Sequence, residues 1–241
     1  MINYLKSLYK EEQFNPGFIG FWINPYFLIR RGLFKGIAKY SAELKGHLLD
    51  FGCGRKPYRA LFHVDQYIGI DIEESGHPHE RSEVDVFYDG TTIPFEDGHF
   101  DAVFSSEVFE HVFELDDVLT ELHRVLKPKG KILFTAPFAW HEHEQPYDYA
   151  RYTSFAWPHL LKKHGFEVIE ETKSTGFVET VIQMWIAYWV ELIMKKPILK
   201  VLLSPILVAP FTFLALVLQW ILPSNKEYYH NLIILAEKRE Q

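Results

Sequence analysis

A pair of glycines follows a short apolar run near residue 50. The run His47–Phe51 predicts a buried strand, and Gly52 and Gly54 follow it in a tight turn that should lead into a helix. Glycine suits a binding site there, because any Cβ would keep a ligand away from the backbone. Asp50 would repel a diphosphate at this point but attract a ligand with a cationic amino-acid end. S-adenosylmethionine, which has a sulfonium and an α-ammonium group, fits that description.

A second acid stands where a ribose would be bound. The run Tyr67–Asp71 ends in Asp71, and an acid about 20 residues after a glycine turn can accept hydrogen bonds from both ribose hydroxyls. Nicotinamide enzymes share these two features. Their fingerprint needs a third glycine for close helix–strand packing, and this sequence has Pro57 at that position. The pattern therefore favours S-adenosylmethionine over a nicotinamide cofactor.

Alternating apolar runs and helical patterns must position these residues. Leu115–Leu126 has leucine and valine at helical spacing and is followed by Pro128 and Gly130, and Thr153–His164 predicts another helix. The predicted strands are His47–Phe51, Tyr67–Asp71, Val84–Tyr88, Phe100–Ser105, Lys131–Ala136, Phe166–Thr172 and His230–Glu237. We predict an α/β fold, a Rossmann-like doubly wound seven-stranded sheet with a helical apolar insertion before the last strand.

Four motifs in order carry a resemblance to a known family. They are LLDFGCG, YIGIDI, DGTTIPFEDGHFDAVFSSEVFEHV and ELHRVLKPKGKILFTAPF. With them, the stretch from Leu48 to Glu170 resembles the class I S-adenosylmethionine-dependent methyltransferases with a methyltransferase-11-like domain. The resemblance implies that Gly52 and Gly54 lie against the methionine part of the cofactor, with Asp50 near its ammonium group.

The resemblance also implies roles for residues further along the sheet. Asp71 would bind the ribose hydroxyls, with Ile72 against the adenine. Asp89 and Gly90 would approach the adenine amino group. Two residues after the fourth strand would line the pocket floor near the methyl group, namely Ser105 and Glu107. Taken without the resemblance, a strand-end acid such as Asp71 also often caps a following helix.

The loop after the fifth strand, residues 137–153, is dense in histidine, acid, tyrosine and arginine. It leaves the strand on the cofactor side of the sheet, where loops carry function. A hydroxyl acceptor needs a base, and we predict His143 for that role with His141 in reserve. Tyr147 and Arg151 would orient a polar acceptor. Solvated loop histidines are the alternative, and no metal site is predicted because the two histidines lack a third ligand at a recognisable spacing.

Two further segments bear on the acceptor side. Pro146–Thr153 resembles P-x-D-Y-x-R-Y-T, a stretch of methyltransferases encoded among bacterial surface-glycan genes, which implies a sugar or lipid-linked sugar as acceptor. Glu110 and His111 are predicted to belong to a helix packed over the sheet and not to catalysis.

Composition excludes some classes of partner and compartment. The 241 residues have a net charge of −7, so no basic surface favours nucleic acid. Cys53 is the single cysteine, and no internal disulfide is possible. Met1–Lys10 lacks the apolar core of a signal peptide, so we expect a cytoplasmic protein.

The segment Val201–Leu222 contains no charged residue, and it is long enough in principle for a bilayer span of ~20 residues. Pro205 and Pro210 interrupt it, and the strands on either side must meet in one sheet. We therefore expect a re-entrant or interfacial helical hairpin at the inner face of the membrane, aided by the aromatic N-terminal stretch. The alternative is a hydrophobic lid or a homodimer interface.

The sequence divides into an N-terminal helical cap (1–46), a cofactor-binding core (47–175), an apolar insertion (176–226) and a final strand with a tail (227–241). We expect a methyltransferase that acts on an oxygen of a glycan precursor or lipid-linked small molecule at a membrane surface. One alternative is a methyltransferase of a soluble metabolite with the insertion as dimer interface. Another is a catalytically silent membrane scaffold.

Overall fold

The computed structural model describes residues 9–10, 12–73 and 83–240, and its centre is a seven-stranded sheet in the order β3-β2-β1-β4-β5-β7-β6. The strands are β1 (His47–Phe51), β2 (Gln66–Ile72), β3 (Val86–Tyr88), β4 (Phe100–Ser106), β5 (Leu126–Pro137), β6 (Phe166–Lys173) and β7 (Asn231–Lys238). β1 pairs in parallel with β2 and β4, β2 with β3, and β4 with β5. The predicted Rossmann-like sheet and its seven strands are confirmed.

The strand order places the carboxyl ends of β1 and β4 at the centre of one sheet edge. The chain builds outward from β1 through β2 to β3, and then returns to the other side of β1 with β4. Ligands of open α/β sheets bind at such a reversal of strand order. Leu48 and Leu49 on β1 are fully buried, as expected of a central strand that is covered on both faces.

Seven α-helices are described over their full length. They are α1 (Phe18–Ile23), α2 (Phe27–Ser41), α3 (Leu115–Val125), α4 (Ala156–Lys163), α5 (Phe177–Ile193), α6 (Pro197–Leu207) and α7 (Ala209–Ile221). Helix α3 forms because leucine and valine recur on one face, and that whole face is buried. The two helices predicted in the core are confirmed, although the second begins at Ala156 and not at Thr153.

The helix expected directly after the glycine turn is absent, and that prediction was wrong. Between Gly54 and β2, where every residue is described, the chain forms only a single 3₁₀ turn at Arg59–Leu61. Lys56 has a φ of +49°, which no right-handed helix can contain. Pro57 follows it and lacks the backbone N–H that a helix interior would use.

The described residues divide into two compact units. The sheet unit comprises Ile37–Thr172 and the chain from Leu232, and the helical unit comprises the chain up to Gly36 and Lys173–Asn231. The four-segment division proposed from the sequence stays a prediction, and its residues 1–8, 11, 74–82 and 241 lie outside the described part.

Helices α6 and α7 of the helical unit bury several small or polar side chains and expose large apolar ones. Ser204 on α6 and Thr212 and Ala215 on α7 are buried, whereas Phe213 and Trp220 are 61% and 87% exposed. Among the described helices no single one is long and apolar enough to cross a membrane. By length and composition only, α6 and α7 meet the requirement together, with a bend of 53° between them.

Candidate active site

The two glycines of the turn serve different purposes. Gly52 has a φ of +70°, and a Cβ there would lie 2.5 Å from Cγ2 of Val108, so packing within the protein already requires glycine. Gly54 has a φ of +49°, and a Cβ there would meet no atom of the described residues within 4 Å. Gly54 therefore presents bare backbone to open space beside the carboxyl end of β1, which is where a ligand can approach it.

Asp71, at the end of β2, holds the turn in place. Its Oδ2 accepts a hydrogen bond from the Gly54 N–H at 3.1 Å, and its Oδ1 accepts one from the Ile72 N–H at 2.9 Å. A carboxylate oxygen has two lone pairs, so each of them can accept a further bond from a hydroxyl. Asp71 thus combines the structural role of an acid at a turn with the capacity to bind a diol.

Asp50 is a buried carboxyl at the end of β1. Its Oδ2 accepts a hydrogen bond from the Tyr67 hydroxyl. Burial raises the pKa of Asp50 to about 7, although the Tyr67 bond and the nearby Lys56 ammonium oppose that shift. A positively charged ligand at this edge would favour the ionised carboxylate and so bind more tightly once the proton has left.

The loop after β3 is fixed by Asp89. Its Oδ1 accepts hydrogen bonds from the backbone N–H of Thr91 at 2.8 Å and of Thr92 at 2.9 Å. These bonds lower the pKa of Asp89 to about 2, so it is ionised at neutral pH. Gly90 follows with a φ of +82°, and its Cβ position is 3.7 Å from the side chain of Ile72. The structure thus brings Ile72 and Gly90 together at the ends of β2 and β3.

Ser105 and Glu107 have different surroundings at the end of β4. Ser105 is fully buried and its hydroxyl donates to the Phe51 carbonyl at 3.0 Å, which ties β4 to β1 inside the sheet. Glu107 lies beyond the strand with a φ of +56°. Its Oε1 accepts a bond from the Thr135 hydroxyl at 2.7 Å, which fixes the carboxylate at the strand edge.

His143 is oriented by an acid on the same loop. Its Nδ1 lies 3.1 Å from Oδ2 of Asp148, and the same oxygen accepts the His143 backbone N–H at 2.9 Å. Burial and the neighbouring His111 lower the pKa of His143, so its ring is neutral at pH 7 and can accept a proton. A histidine held by a carboxylate at Nδ1 is the usual arrangement of a general base.

The Arg151 guanidinium is hydrogen-bonded to the carboxylate of Asp148. Its Nη1 and Nη2 donate to the two carboxylate oxygens of Asp148 at 2.5 and 2.7 Å. Burial alone would raise the pKa of Asp148, but these bonds and the His143 N–H lower it to about 2. The guanidinium predicted to orient an acceptor thus orients the partner of His143.

The structure separates the two candidate histidines. The His141 ring lies on Trp140, with ring centroids 4.6 Å apart, and only its backbone carbonyl reaches Arg151. Tyr147 is 45% exposed, and its carbonyl oxygen lies 2.8 Å from Nδ1 of His111.

Glu110 and His111 join His143, which the sequence analysis did not anticipate. Both lie on a 3₁₀ turn, Phe109–His111, directly after β4. The rings of His111 and His143 meet edge to face at 4.8 Å, and Glu110 is almost fully buried beside them. Burial and the nearby Glu107 raise the pKa of Glu110 well above its ordinary value. The signal in the sequence was an acid–histidine pair immediately after a central strand.

The sequence profile of a family described as a methyltransferase domain matches residues 49–134. The match begins inside β1 and ends inside β5, so it includes the glycine turn, Asp71, Asp89 and Glu107. Residues 49–134 are therefore similar to a methyltransferase domain.

Two solved structures share the fold of this chain. The [4+2]-cyclase SpnF has a TM-score of 0.56 at 19% identity, covering 87% of this chain and 81% of the cyclase. Phosphoethanolamine N-methyltransferase 2 from Haemonchus contortus, in complex with S-adenosyl-L-methionine, has a TM-score of 0.52 at 19% identity, covering 98% and 60%. One of the two is named for a cyclisation, so the fold by itself does not decide the reaction.

Among curated relatives, a fatty-acid O-methyltransferase from Mycolicibacterium smegmatis is 35% identical over 107 residues, which are 39% of each chain. The first curated relatives that the chain matches are covered over 8%, 63% and 39% of their own lengths. The match therefore spans less than two thirds of each.

Proposed function

We propose that this chain transfers the methyl group of S-adenosylmethionine to an oxygen of a glycan precursor or lipid-linked small molecule at a membrane surface. The observation that carries the transfer activity is the arrangement of Asp50, Gly54 and Asp71. All three lie at the carboxyl ends of β1 and β2, and Gly54 presents bare backbone to open space.

The residues present fit this cofactor. Asp50 offers a carboxylate to the ammonium group, Gly54 leaves room for the methionine part, and Asp71 can accept the ribose hydroxyls. Ile72 and Gly90 form an apolar corner for the adenine. When bound, S-adenosylmethionine supplies a methyl group that is electrophilic because it is attached to a sulfonium, and the protein contributes mainly by positioning.

The cluster after β4 and β5 supports an oxygen as acceptor. An alcohol must lose its proton as the new bond forms, and the neutral His143 ring can take it while Asp148 stabilises the resulting charge. Arg151 keeps Asp148 ionised and in place. The fatty-acid O-methyltransferase relative is named for an oxygen acceptor on an acyl chain, which agrees with a lipid-linked substrate.

The helical unit supports attachment to a membrane. In water, small and polar residues are expected outside and large apolar ones inside. Helices α6 and α7 have the reverse pattern, with Ser204 and Thr212 buried and Phe213 and Trp220 exposed. Small residues at helix contacts and large apolar ones facing outward are typical of helices in lipid. The exposed Lys196 at the start of α6 suits a location at the headgroups.

Calorimetric titration with S-adenosylmethionine tests the proposed activity at its first step. We expect Asp71→Ala to weaken binding by about 2 kcal/mol, or about 30-fold, because charge-assisted hydrogen bonds are lost. Asp71→Asn keeps the shape of the side chain and one of its two accepted backbone bonds, so it removes the charge with a smaller disturbance of the turn. Asp65→Ala, at the opposite end of the same strand, should bind like the wild type. A well-folded wild-type protein that does not bind S-adenosylmethionine would contradict the proposed function.

A further inference from the structure

Three side chains near the methyl-transfer site converge on one point. Glu110 Oε1 lies 3.7 Å from Nε2 of His111 and 4.0 Å from Nε2 of His143, and one donor atom of each residue lies within 4.8 Å of the others. Two imidazole nitrogens and one carboxylate oxygen form a donor set for Zn²⁺ and other divalent first-row metals. We propose that Glu110, His111 and His143 bind such an ion.

Both imidazoles are oriented as metal ligands are. Nδ1 of His111 lies 2.8 Å from the Tyr147 carbonyl oxygen, and Nδ1 of His143 lies 3.1 Å from the Asp148 carboxylate. Both oxygens can only accept, so each Nδ1 is the protonated nitrogen and each Nε2 carries the lone pair. Arg151 Nη2 also approaches Nδ1 of His143, but at 3.5 Å it is too far to compete. A histidine that donates through one nitrogen to a carbonyl or carboxylate is the common second shell of a metal site.

Glu110 supplies the independent reason to expect a cation. The residue is 2% exposed, and neither of its carboxylate oxygens has a hydrogen-bond partner within the described residues. Nε2 of His111, which faces it, is likewise buried without one. A buried carboxyl group without hydrogen-bond partners is unfavourable, and a coordinated ion would remove that cost.

The acceptor loop is built around these three ligands. Three consecutive residues each hold one of them. The Tyr147 carbonyl holds the His111 ring, the Asp148 carboxylate holds the His143 ring, and the Tyr149 N–H donates to the backbone carbonyl of Glu110 at 2.8 Å. The loop thus orients two of the side chains and holds the backbone of the third residue.

The distances between the three donor atoms would allow them to bind an ion after a small movement toward one another. At Zn–ligand distances of about 2.0–2.1 Å, tetrahedral ligand atoms lie about 3.3 Å apart. The observed separations of 3.7 and 4.0 Å are slightly wider, and the His111 and His143 rings close them by rotating toward Glu110. Three protein ligands leave a further position open, which is typical of a catalytic site.

The role of the ion rests on the proposed function, whereas its binding does not. An acceptor hydroxyl in the open position would lose its proton to water more readily, because the ion stabilises the alkoxide. The oxygen then bonds to the methyl carbon as the carbon–sulfur bond breaks, which leaves a neutral thioether. In this arrangement His143 acts as a ligand, and the ion takes over the activation of the acceptor.

Zinc binding to the full chain tests the site. After removal of metal with a chelator, the protein is dialysed against Zn²⁺ and its zinc content measured by mass spectrometry. We expect one tightly held zinc per chain, at least 10-fold weaker affinity in Glu110→Gln, His111→Gln and His143→Gln, and weakening of about 10- to 100-fold in Asp148→Asn. His141→Gln, which changes a histidine of the same loop outside the cluster, should bind zinc like the wild type. Loss of binding in His141→Gln to the same extent as in His143→Gln, or no zinc in the wild type, would overturn the proposal.

Two further measurements keep the outcomes distinct. If a variant fails to fold, carbethoxylation of the wild type decides, because zinc should protect His111 and His143 but not His141. S-adenosylmethionine binding is measured on the same samples. Zinc binding without S-adenosylmethionine binding would contradict the proposed methyltransferase activity and support the metal site. S-adenosylmethionine binding without zinc binding would contradict the metal site alone.

Discussion

The charge of Asp50 should control how S-adenosylmethionine binding depends on pH. Its pKa is about 7 in the folded protein against an ordinary value of 3.8, chiefly because burial disfavours the charged form. The Tyr67 hydrogen bond and the Lys56 ammonium lower the pKa, and the carboxylates of Asp71 and Asp85 raise it. The ligand's ammonium group needs the ionised form, so Asp50 must lose its proton before or during binding.

The magnitude follows from the ionised fraction. With a pKa of about 7, roughly 3% of Asp50 is ionised at about pH 5.5 and roughly three quarters at about pH 7.5, so affinity should rise about 25-fold. Folding has the opposite dependence. Because the folded-state pKa is raised, the folded protein binds more protons than the unfolded one between pH 3.8 and about 7. The contribution of Asp50 to stability is therefore present in acid and is lost as pH rises through about 7.

Calorimetric titrations of the wild type and of Asp50→Asn at both pH values measure the effect. The asparagine variant keeps the shape of the side chain but cannot ionise, so its affinity should be low and independent of pH. The reasoning would be refuted by a wild-type affinity that stays constant over this range, or by an equal rise in Asp50→Asn.

Two more predictions concern the turn and the helical unit. Gly54→Ala should lower S-adenosylmethionine affinity with a small change in thermal midpoint, whereas Gly52→Ala should lower the midpoint strongly because its Cβ meets Val108 at 2.5 Å; calorimetry and thermal melts separate the two. In flotation with lipid vesicles, the wild type should be recovered with the vesicles, and less of the double variant Phe213→Ser/Trp220→Ser should be. The control Phe113→Ser changes an exposed ring of the sheet unit and should float like the wild type. A wild type that does not float and is a dimer would favour the dimer-interface alternative.

Local patterns in the sequence predicted most of the fold. Apolar runs identify all seven strands, and the spacing from Leu115 to Val125 identifies α3, because burial on one face is a local property. The expected strand–turn–helix pattern was wrong after Gly54, because Lys56 has a φ of +49°, which a right-handed helix cannot contain and which no local pattern in the sequence indicates.

The arrangement of the acceptor side could not be predicted from the sequence, because it depends on contacts between residues that are far apart in the chain. Glu110 and His143 are 33 positions apart, and only the parallel pairing of β4 with β5 brings the ends of these strands together. Glu110 was predicted to belong to a helix packed over the sheet, whereas it lies in a 3₁₀ turn. Arg151 was predicted to orient a polar acceptor, which stays a prediction; the structure shows its guanidinium bonded to Asp148.

The place of β7 in the sheet has a consequence for synthesis. β6 is an edge strand whose only neighbour is β7, and β7 is made after the whole segment 174–230. At roughly 5–20 residues per second, the ribosome needs roughly 3–12 seconds for that segment, during which the edge of β5 and the backbone of β6 have no partner in the sheet. Unpaired strand edges recruit other strands. The chain therefore passes through an interval in which it is exposed to misassembly, and the arrival of its last strand ends that interval.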